Sequence, residues 1–338
     1  MKRGVRNAVG ILLTAACLYF AFRNVHWSDA VKSARSANYA LLLLSAVVAT
    51  LIFPLRARRW RTILDPIAPR LPFGPLWRST AIGIMVNNVL PARAGEFARA
   101  YALTREVPAI SFPLSLASLV VDRVFDAIVV FLLLVVAIAS PSFPAGATIK
   151  GQSIANIAAA FALVPLVLLV VLYLLAAYPK TLIRVFELVA RRVSPTLEAR
   201  GSEMLHRFAE GLSVLRAPAH FIAVFWWALL LWLVQPLAFW IGLRAFGIDV
   251  PWSATLLLQA LTVIGVALPS TPGYFGLFEA GAIIALKLYG VDETPAATWA
   301  LVYHVVSLIP ITLIGAYYFA RAGISVSDIN SSVSNDRQ

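Results

Sequence analysis

The chain has a single cysteine in 338 residues, Cys17, and it lies inside a hydrophobic run. An internal disulfide framework is therefore excluded. The four histidines are scattered at positions 26, 206, 220 and 304, and no Cys/His cluster has the spacing of a metal site. No metal and no cofactor is expected. Charge is also scarce. Only 13% of residues are charged and 60% are hydrophobic, with a mean hydropathy of +0.83. Soluble domains carry about 25% charged residues, so the composition is that of a polytopic membrane protein. Acidic residues are the scarcer sign, 16 against 28 basic, for a net charge of +12. In a soluble chain that surplus would suggest nucleic acid. Here the basic residues sit in loops between apolar runs, which suits cytoplasmic loops facing anionic headgroups, and no nucleic-acid partner is expected.

The apolar runs divide the chain. Lys2, Arg3 and Arg6 precede a run from about Val5 to Phe22. It resembles a signal peptide, but it continues through Leu18-Tyr19-Phe20 without a small-residue cleavage site, so a retained first span is expected. A loop with Arg23, Asp29, Lys32 and Arg35 follows, then a second span over about Tyr39 to Leu55. The cluster Arg56-Ala57-Arg58-Arg59-Trp60-Arg61 is expected in the cytoplasm, with Trp60 at headgroup level. Further spans are expected over Phe112–Ala139, Ile157–Ala177, His220–Phe246 and Ala296–Ala320. The stretch Lys180 to Arg216 is rich in Arg and Glu, yet Leu205, Phe208, Leu212 and Leu215 recur at helical spacing, as in amphipathic helices on a membrane face. The Trp residues of the fifth span, 226, 227, 232 and 240, read as interface belt or packing rather than a substrate cage.

Two stretches break this pattern. The first, about Leu76 to Leu103, contains Asn87-Asn88-Val89-Leu90-Pro91-Ala92-Arg93-Ala94-Gly95-Glu96-Phe97-Ala98-Arg99. The second, about Pro251 to Tyr289, contains Leu268-Pro269-Ser270-Thr271-Pro272-Gly273-Tyr274-Phe275-Gly276-Leu277-Phe278-Glu279. Broken backbone at membrane depth is tolerated only against protein or a watery cavity. Paired breaks in two halves point to a binding site at the midplane. The expected fold is thus all-α, with about six full transmembrane helices and two broken re-entrant segments forming an inverted repeat. Residues 1–321 form the membrane domain, 180–216 a cytoplasmic segment within it, and 322–338 a polar, disordered tail. With both termini cytoplasmic, the Arg56 cluster, Lys180–Arg216 and Arg321 fall inside, and the poorly charged loops at Lys150 and Arg244–Asp249 fall outside. Two full spans in place of either break would leave this sidedness unchanged. The halves share no convincing sequence identity.

At the breaks the chain resembles the flippase-like family, also called the lysylphosphatidylglycerol synthase transmembrane region. Asn88-x-x-Pro91-x-Arg93-x-Gly95-Glu96-x-x-Arg99 is similar to its N-x-x-P-x-R-x-G-E-x-x-R signature. Asp122-Arg123-x-x-Asp126, Phe208-x-x-Gly211-Leu212-x-x-Leu215 and Pro272-Gly273-x-x-Gly276-x-x-Glu279 with Gly290-Val291 resemble its later elements, in order. The likeness spans about residues 5 to 320. Tyr274 stands where a second glycine is common, and His304 where arginine is common. Bifunctional members carry a soluble aminoacyl-transferase domain after the membrane region, and a stand-alone membrane domain is expected here. The resemblance therefore implies translocation of a lipid or lipid-linked substrate in the cytoplasmic (inner) membrane rather than lipid synthesis. Some stand-alone relatives are associated with hopanoid or polyprenyl-linked glycolipid pathways, which would make lipid-synthesis enzymes partners.

The candidate substrate-binding residues are Asn88, Arg93, Glu96, Arg99, Asp122, Arg123, Asp126, Gly273, Gly276, Glu279 and His304. An arginine fork reads phosphate bidentately, and Glu96 offsets only one of Arg93 and Arg99. The blander reading is a structural salt bridge. Asp122 and Asp126, one turn apart, are expected to pair with Arg93 or Arg99 across a helix interface. The glycines would let a lipid phosphate approach backbone amides, with Glu279 binding an arginine or carrying a proton. His304 reads as a satisfied core histidine or a proton site. Two rival functions stand beside a lipid transporter: an integral membrane transferase or phosphatase acting on a lipid-linked substrate, and a non-transporting scaffold of lipid synthesis. Against the enzyme, the sequence has no Asp pair with phosphotransfer spacing and no nucleophile with an adjacent base.

Overall fold

The computed structural model describes residues 22–90, 94–144, 178–192, 218–267 and 272–323 without interruption, with 18–19, 148–149, 152–153 and scattered positions between 167 and 206. Most of the expected first and fourth spans, Arg93, most of 193–217 and the tail beyond 323 lie outside the described residues. The described chain is helical apart from a two-residue antiparallel pair, β1 (Thr148–Ile149) with β2 (Gln152–Ser153).

A helix, α1 (Trp27–Ser36), stands where the sequence reading expects a loop. Trp27, Ala30, Val31 and Ala34 recur at helical spacing, which is why this polar stretch folds. The next helix, α2 (Tyr39–Thr50), is capped by Asn38, whose side chain accepts the Leu41 N–H at 3.1 Å. It runs on through Leu51 into α3 (Ile52–Leu64), and together they form a helix of 26 residues. The expected end at Leu55 is therefore too early, and the Arg56 cluster is helical.

The first break separates α4 (Phe73–Val89) from α5 (Gly95–Glu106). The two are antiparallel: Arg78 pairs with Glu106 at the open end, and the Asn87 side chain accepts the Gly95 N–H at 2.8 Å near the tip. They approach closely enough that a Cβ on Gly95 would lie 2.0 Å from the Gly83 carbonyl oxygen. Only glycine fits there. At 1.5 Å per residue α5 is about 18 Å long, short of the ~30 Å hydrocarbon core. A long helix, α6 (Phe112–Ala139), follows with the expected ends, set by the Ser111 cap and Pro113 in the first turn. The amphipathic stretch contributes α7 (Pro179–Arg191).

The later chain repeats this order. A long helix, α8 (Pro218–Ala245), leads to α9 (Trp252–Ala267), a turn at Pro272–Tyr274, α10 (Leu277–Leu288), and a final long helix, α11 (Glu293–Arg321). The second hairpin is also antiparallel, with the Tyr289 hydroxyl donating to Ser253 Oγ at 3.0 Å across its open end. Helix lengths run 26, 17, 12 and 28 residues in the first unit and 28, 16, 12 and 29 in the second. The first helices of the two units run in opposite directions. The Asn38 N–H donates to the Ala245 carbonyl at 2.7 Å, and Arg58 lies 5.6 Å over the Trp227 ring, so α2–α3 runs antiparallel to α8. Each hairpin packs on the other unit's last helix. Asn88 donates to Thr312 Oγ1 at 3.0 Å between α4 and α11, and Ser142 and Ser253 lie 2.8 Å apart between α6 and α9. The hairpins thus open toward opposite ends of the bundle, and α4 packs on the turn of the second.

Among the described residues three helices, Tyr39–Leu64, Pro218–Ala245 and Glu293–Arg321, are long and apolar enough to cross a membrane. Leu43, Val47, Ile222 and Leu313 face outward, each more than half exposed. A soluble protein avoids such broad apolar exposure; a bilayer covers it.

Candidate functional site

Charges that lipid would not tolerate are gathered inside the bundle. On α3, Arg56 and Arg59 fall three residues apart and so on one helix face. Arg59 is completely buried. Its Nη2 lies 2.7 Å from Asp122 Oδ1, and its Nη1 donates to Asp126 Oδ1 at 2.6 Å. Arg99 on α5 donates through Nη1 to Asp122 Oδ2 at 3.1 Å. Arg123 donates to Asp126 Oδ2 at 2.9 Å and pairs with Glu96. Arg56 stands 3.8 Å from Asp126. The Trp232 indole of α8 donates to Asp126 Oδ1 at 2.6 Å, so this tryptophan belongs to the network rather than to an interface belt. Asp122 sits about 15 Å along α6 from its start, half the depth of a ~30 Å hydrocarbon core.

Two sequence expectations change here. Trp60 is wholly buried rather than at headgroup level; its indole donates to Ser118 Oγ at 2.8 Å and its ring lies 4.1 Å beneath the Arg99 guanidinium. Arg56 and Arg59, expected in a solvated cytoplasmic cluster, are the central cations of the network. The signal was in the sequence: Phe53, Ala57, Trp60 and Leu64 continue an apolar helical stripe through the basic run. Asp122 pairs with Arg99, as the spacing suggested, whereas Asp126 pairs with Arg59 and Arg123.

The network carries excess positive charge. Four guanidiniums, on Arg56, Arg59, Arg99 and Arg123, face three carboxylates, on Glu96, Asp122 and Asp126. Arg99 is 2% exposed, and its Nε and Nη2 have no hydrogen-bond partner among the described residues. One face of the guanidinium is covered by Trp60 and one edge is held by Asp122; the other edge is unsatisfied. A buried orphan of this kind demands an acceptor. Arg93, six residues earlier in the sequence, lies outside the described residues.

The second tip is arranged differently. Gly273 and Gly276 have φ of +73° and +84°, the left-handed region that glycine enters without strain. Tyr274 between them also has a positive φ, +59°, which costs an L-residue about 1–2 kcal/mol; a glycine at this position would avoid that cost. Tyr274 lies within electrostatic reach of Arg123, and the turn packs on α4. Glu279 is fully buried. Its Oε2 accepts the Gly276 N–H at 2.6 Å and its Oε1 lies 2.7 Å from His304 Nδ1. Glu279 therefore binds a histidine of α11 rather than an arginine of the first break. The Gly276 amide is already used, so in this conformation it is not offered to a phosphate. The His304 ring stacks on Phe275 and packs at a tilt against Phe278, with centroids at 4.5 and 4.6 Å. Asn88 is held by Thr312 between α4 and α11. Among the described residues no group of three His, Cys, Asp or Glu side chains has metal-binding geometry.

Comparison with known proteins agrees with this architecture. The chain is 27% identical over 342 residues to a protein of Haloferax volcanii named glycosyltransferase AglD, covering 93% of this chain but 54% of that relative; the chain thus spans about half of the relative's length. It is also similar to two proteins of Methanothermobacter thermautotrophicus named UPF0104 membrane proteins. One is 23% identical over 331 residues, covering 94% of this chain and 93% of the relative. The other is 24% identical over 317 residues, covering 87% and 88%. The family described as lysylphosphatidylglycerol synthase TM region matches residues 7–315. This integral membrane protein belongs to the lysylphosphatidylglycerol synthase TM region family.

Proposed function

We propose that the protein moves an amphipathic lipid across the bilayer, a phospholipid, hopanoid or polyprenyl-linked lipid with an anionic headgroup, and that Arg99 and Arg93 grip the headgroup while the tail stays in lipid. The observation that carries this reading is the unsatisfied edge of Arg99, buried in a network whose four guanidiniums, its own included, outnumber their three carboxylates. A phosphate on that edge would accept two parallel N–H bonds and balance the surplus. Arg99 is enclosed in this conformation, so entry requires the helices of the first hairpin to move. Hairpins opening from opposite ends would then expose the site to one leaflet at a time. The Haloferax relative's name favours a second reading, in which this region serves a transferase acting on a membrane-borne acceptor.

The test uses the full chain in proteoliposomes carrying nitrobenzoxadiazole-labelled phosphatidylglycerol, with dithionite quenching as readout and zwitterionic phosphatidylcholine as the comparison. Arg99→Ala and Arg93→Ala should slow crossing of the anionic probe by on the order of tenfold or more, the worth of a charge-assisted hydrogen bond. Arg→Lys should slow it less, because lysine keeps the charge and loses the planar fork. Crossing at the wild-type rate in both alanine variants, at matched folded protein, would return the arginines to structural pairing. Chemical alteration of the probe would favour the transferase reading.

We further propose residence in the cytoplasmic membrane with both termini inside, from the distribution of basic loops. A cysteine placed at Ser325 in a Cys17→Ser background should react with impermeant maleimide only after the cells are opened. Labelling from outside intact cells would invert the orientation.

A further inference from the structure

We propose that Glu279 and His304 form a proton-binding site that latches the second hairpin to α11, and that this makes one of the two hairpins responsive to pH. The proposal rests on reading the hairpins as gates. Among the described residues each hairpin has a deeply buried charged pair, from the first part of its second helix to the middle of the long helix that follows. In the first unit the pair is Arg99 with Asp122. In the second it is Glu279 with His304, which is an ion pair when the imidazole carries a proton. The signs are exchanged between the units, and so is the chemistry. A guanidinium does not release its proton in a protein, so the first latch is permanently charged. An imidazole, unlike a guanidinium, can release its proton, so the second latch can be lost.

The surroundings make that loss consequential. Both Glu279 oxygens are committed, one to the Gly276 amide and one to His304 Nδ1, and the carboxylate has no exposure to solvent. With a proton on the imidazole, the pair is neutral overall and the buried carboxylate is matched. Without it, a net negative charge remains in the bundle, and opening the hairpin to water relieves it. Phe275 and Phe278, which pack on the ring, belong to the hairpin itself, so the ring and the hairpin tip move as one contact.

Few other charges face the pair. On α11 the adjacent Tyr303 hydroxyl accepts from Gln235 of α8, and the ionisable residues of α8 itself, His220 and Arg244, lie near its two ends. In the turn, Tyr274 lies toward Arg123 of α6. Along α4 the ionisable residue is Arg78, bound to Glu106 at the open end of the first hairpin. Within α2 it is Tyr39, at the start of the helix, and α9 carries none. On α10, Lys287 pairs with Glu293 at the far end. α1, which packs on α11, brings Asp29, Lys32 and Arg35, with Asp29 beside the Glu293 end of that helix.

Hydrogen exchange of the full chain in phosphatidylglycerol nanodiscs tests this without requiring a transported substrate. After correction for intrinsic pH dependence, exchange in Leu277–Leu288 should rise on the order of tenfold between pH 5.5 and 8.5, the shift that one charge-assisted hydrogen bond supports. Exchange in Gly95–Glu106 should stay constant. His304→Arg should hold the second hairpin closed at both pH values. Glu279→Gln removes the buried negative charge, so it should abolish the opening at pH 8.5 and leave the protonated imidazole unmatched at pH 5.5, and it serves alone if the arginine variant does not fold. A wild-type protein with equal exchange at both pH values overturns the proposal, as does a variant that keeps the wild-type pH profile. A protein that gates by exchange but moves no lipid would refute the transport reading and leave the proton site intact.

Discussion

Replacing Arg59 by methionine is expected to destabilise the protein by about 3–5 kcal/mol, the usual cost of removing one partner from a buried ion pair. Arg59 is wholly buried and bridges both aspartates of α6. Methionine fills much of the volume but leaves Asp122 and Asp126 to Arg99, Arg123 and the more distant Arg56. Lysine keeps the charge, yet a single ammonium does not reproduce the two-armed bridge, so Arg59→Lys should fall between. The exposed pair Arg244–Asp249 is the control; breaking it should cost about 0–1 kcal/mol. Thermal unfolding in detergent under one set of conditions ranks the three. A methionine variant as stable as the Arg244→Ala protein would show that Arg59 does not organise the network.

The second large effect concerns the first hairpin. Gly95→Ala places a methyl group 2.0 Å from the Gly83 carbonyl oxygen and 2.5 Å from the Asn87 carboxamide. Neither neighbour is the free end of a long side chain, so α4 and α5 must separate. Overpacking of this kind costs about 1–3 kcal/mol. It also pulls Asn87 from the Gly95 amide and moves Arg99, one turn along α5, away from Asp122. Lipid crossing should therefore fall more than stability does. Gly247→Ala adds a methyl where nothing lies within 4 Å, but at a positive φ; it should cost stability through strain and leave crossing at the rate set by the amount of folded protein. Equal crossing in Gly95→Ala and wild-type protein would mean that the close approach is not needed.

These effects also mark how far the sequence could be read. The long helices were legible because their apolar runs end at chemical signals: Ser111 and Pro113 open α6, and its last residue, Ala139, is the expected one. The breaks were legible because Pro, Gly and charge interrupt those runs. The repeated order of long helix, hairpin and long helix was foreseen only as a geometry, since the halves match in element length and packing rather than in residues. The buried role of Arg56 and Arg59 was missed for a physical reason. A basic cluster at the end of an apolar run is equally the mark of a cytoplasmic boundary and of a helix continuing into a charged interior. The partners that decide between them, Asp122 and Asp126, lie on another helix. The Glu279–His304 bond was hidden in the same way, because nothing local ties a carboxylate at a helix start to an imidazole in the next span. In α1 the helical spacing of Trp27, Ala30, Val31 and Ala34 was present and was outweighed by the charged residues between them.

The central claim is that the unsatisfied edge of Arg99 is a lipid headgroup site. A density map of the wild-type protein in phosphatidylglycerol nanodiscs tests it most directly. The account predicts a lipid phosphate within hydrogen-bonding distance of Arg99 Nε and Nη2, at the tip of the first hairpin, with its acyl chains running out between helices, and loss of that density in Arg99→Ala. Lipid confined to the outer surface of the bundle, with those two nitrogens bonded to protein or water, would contradict it.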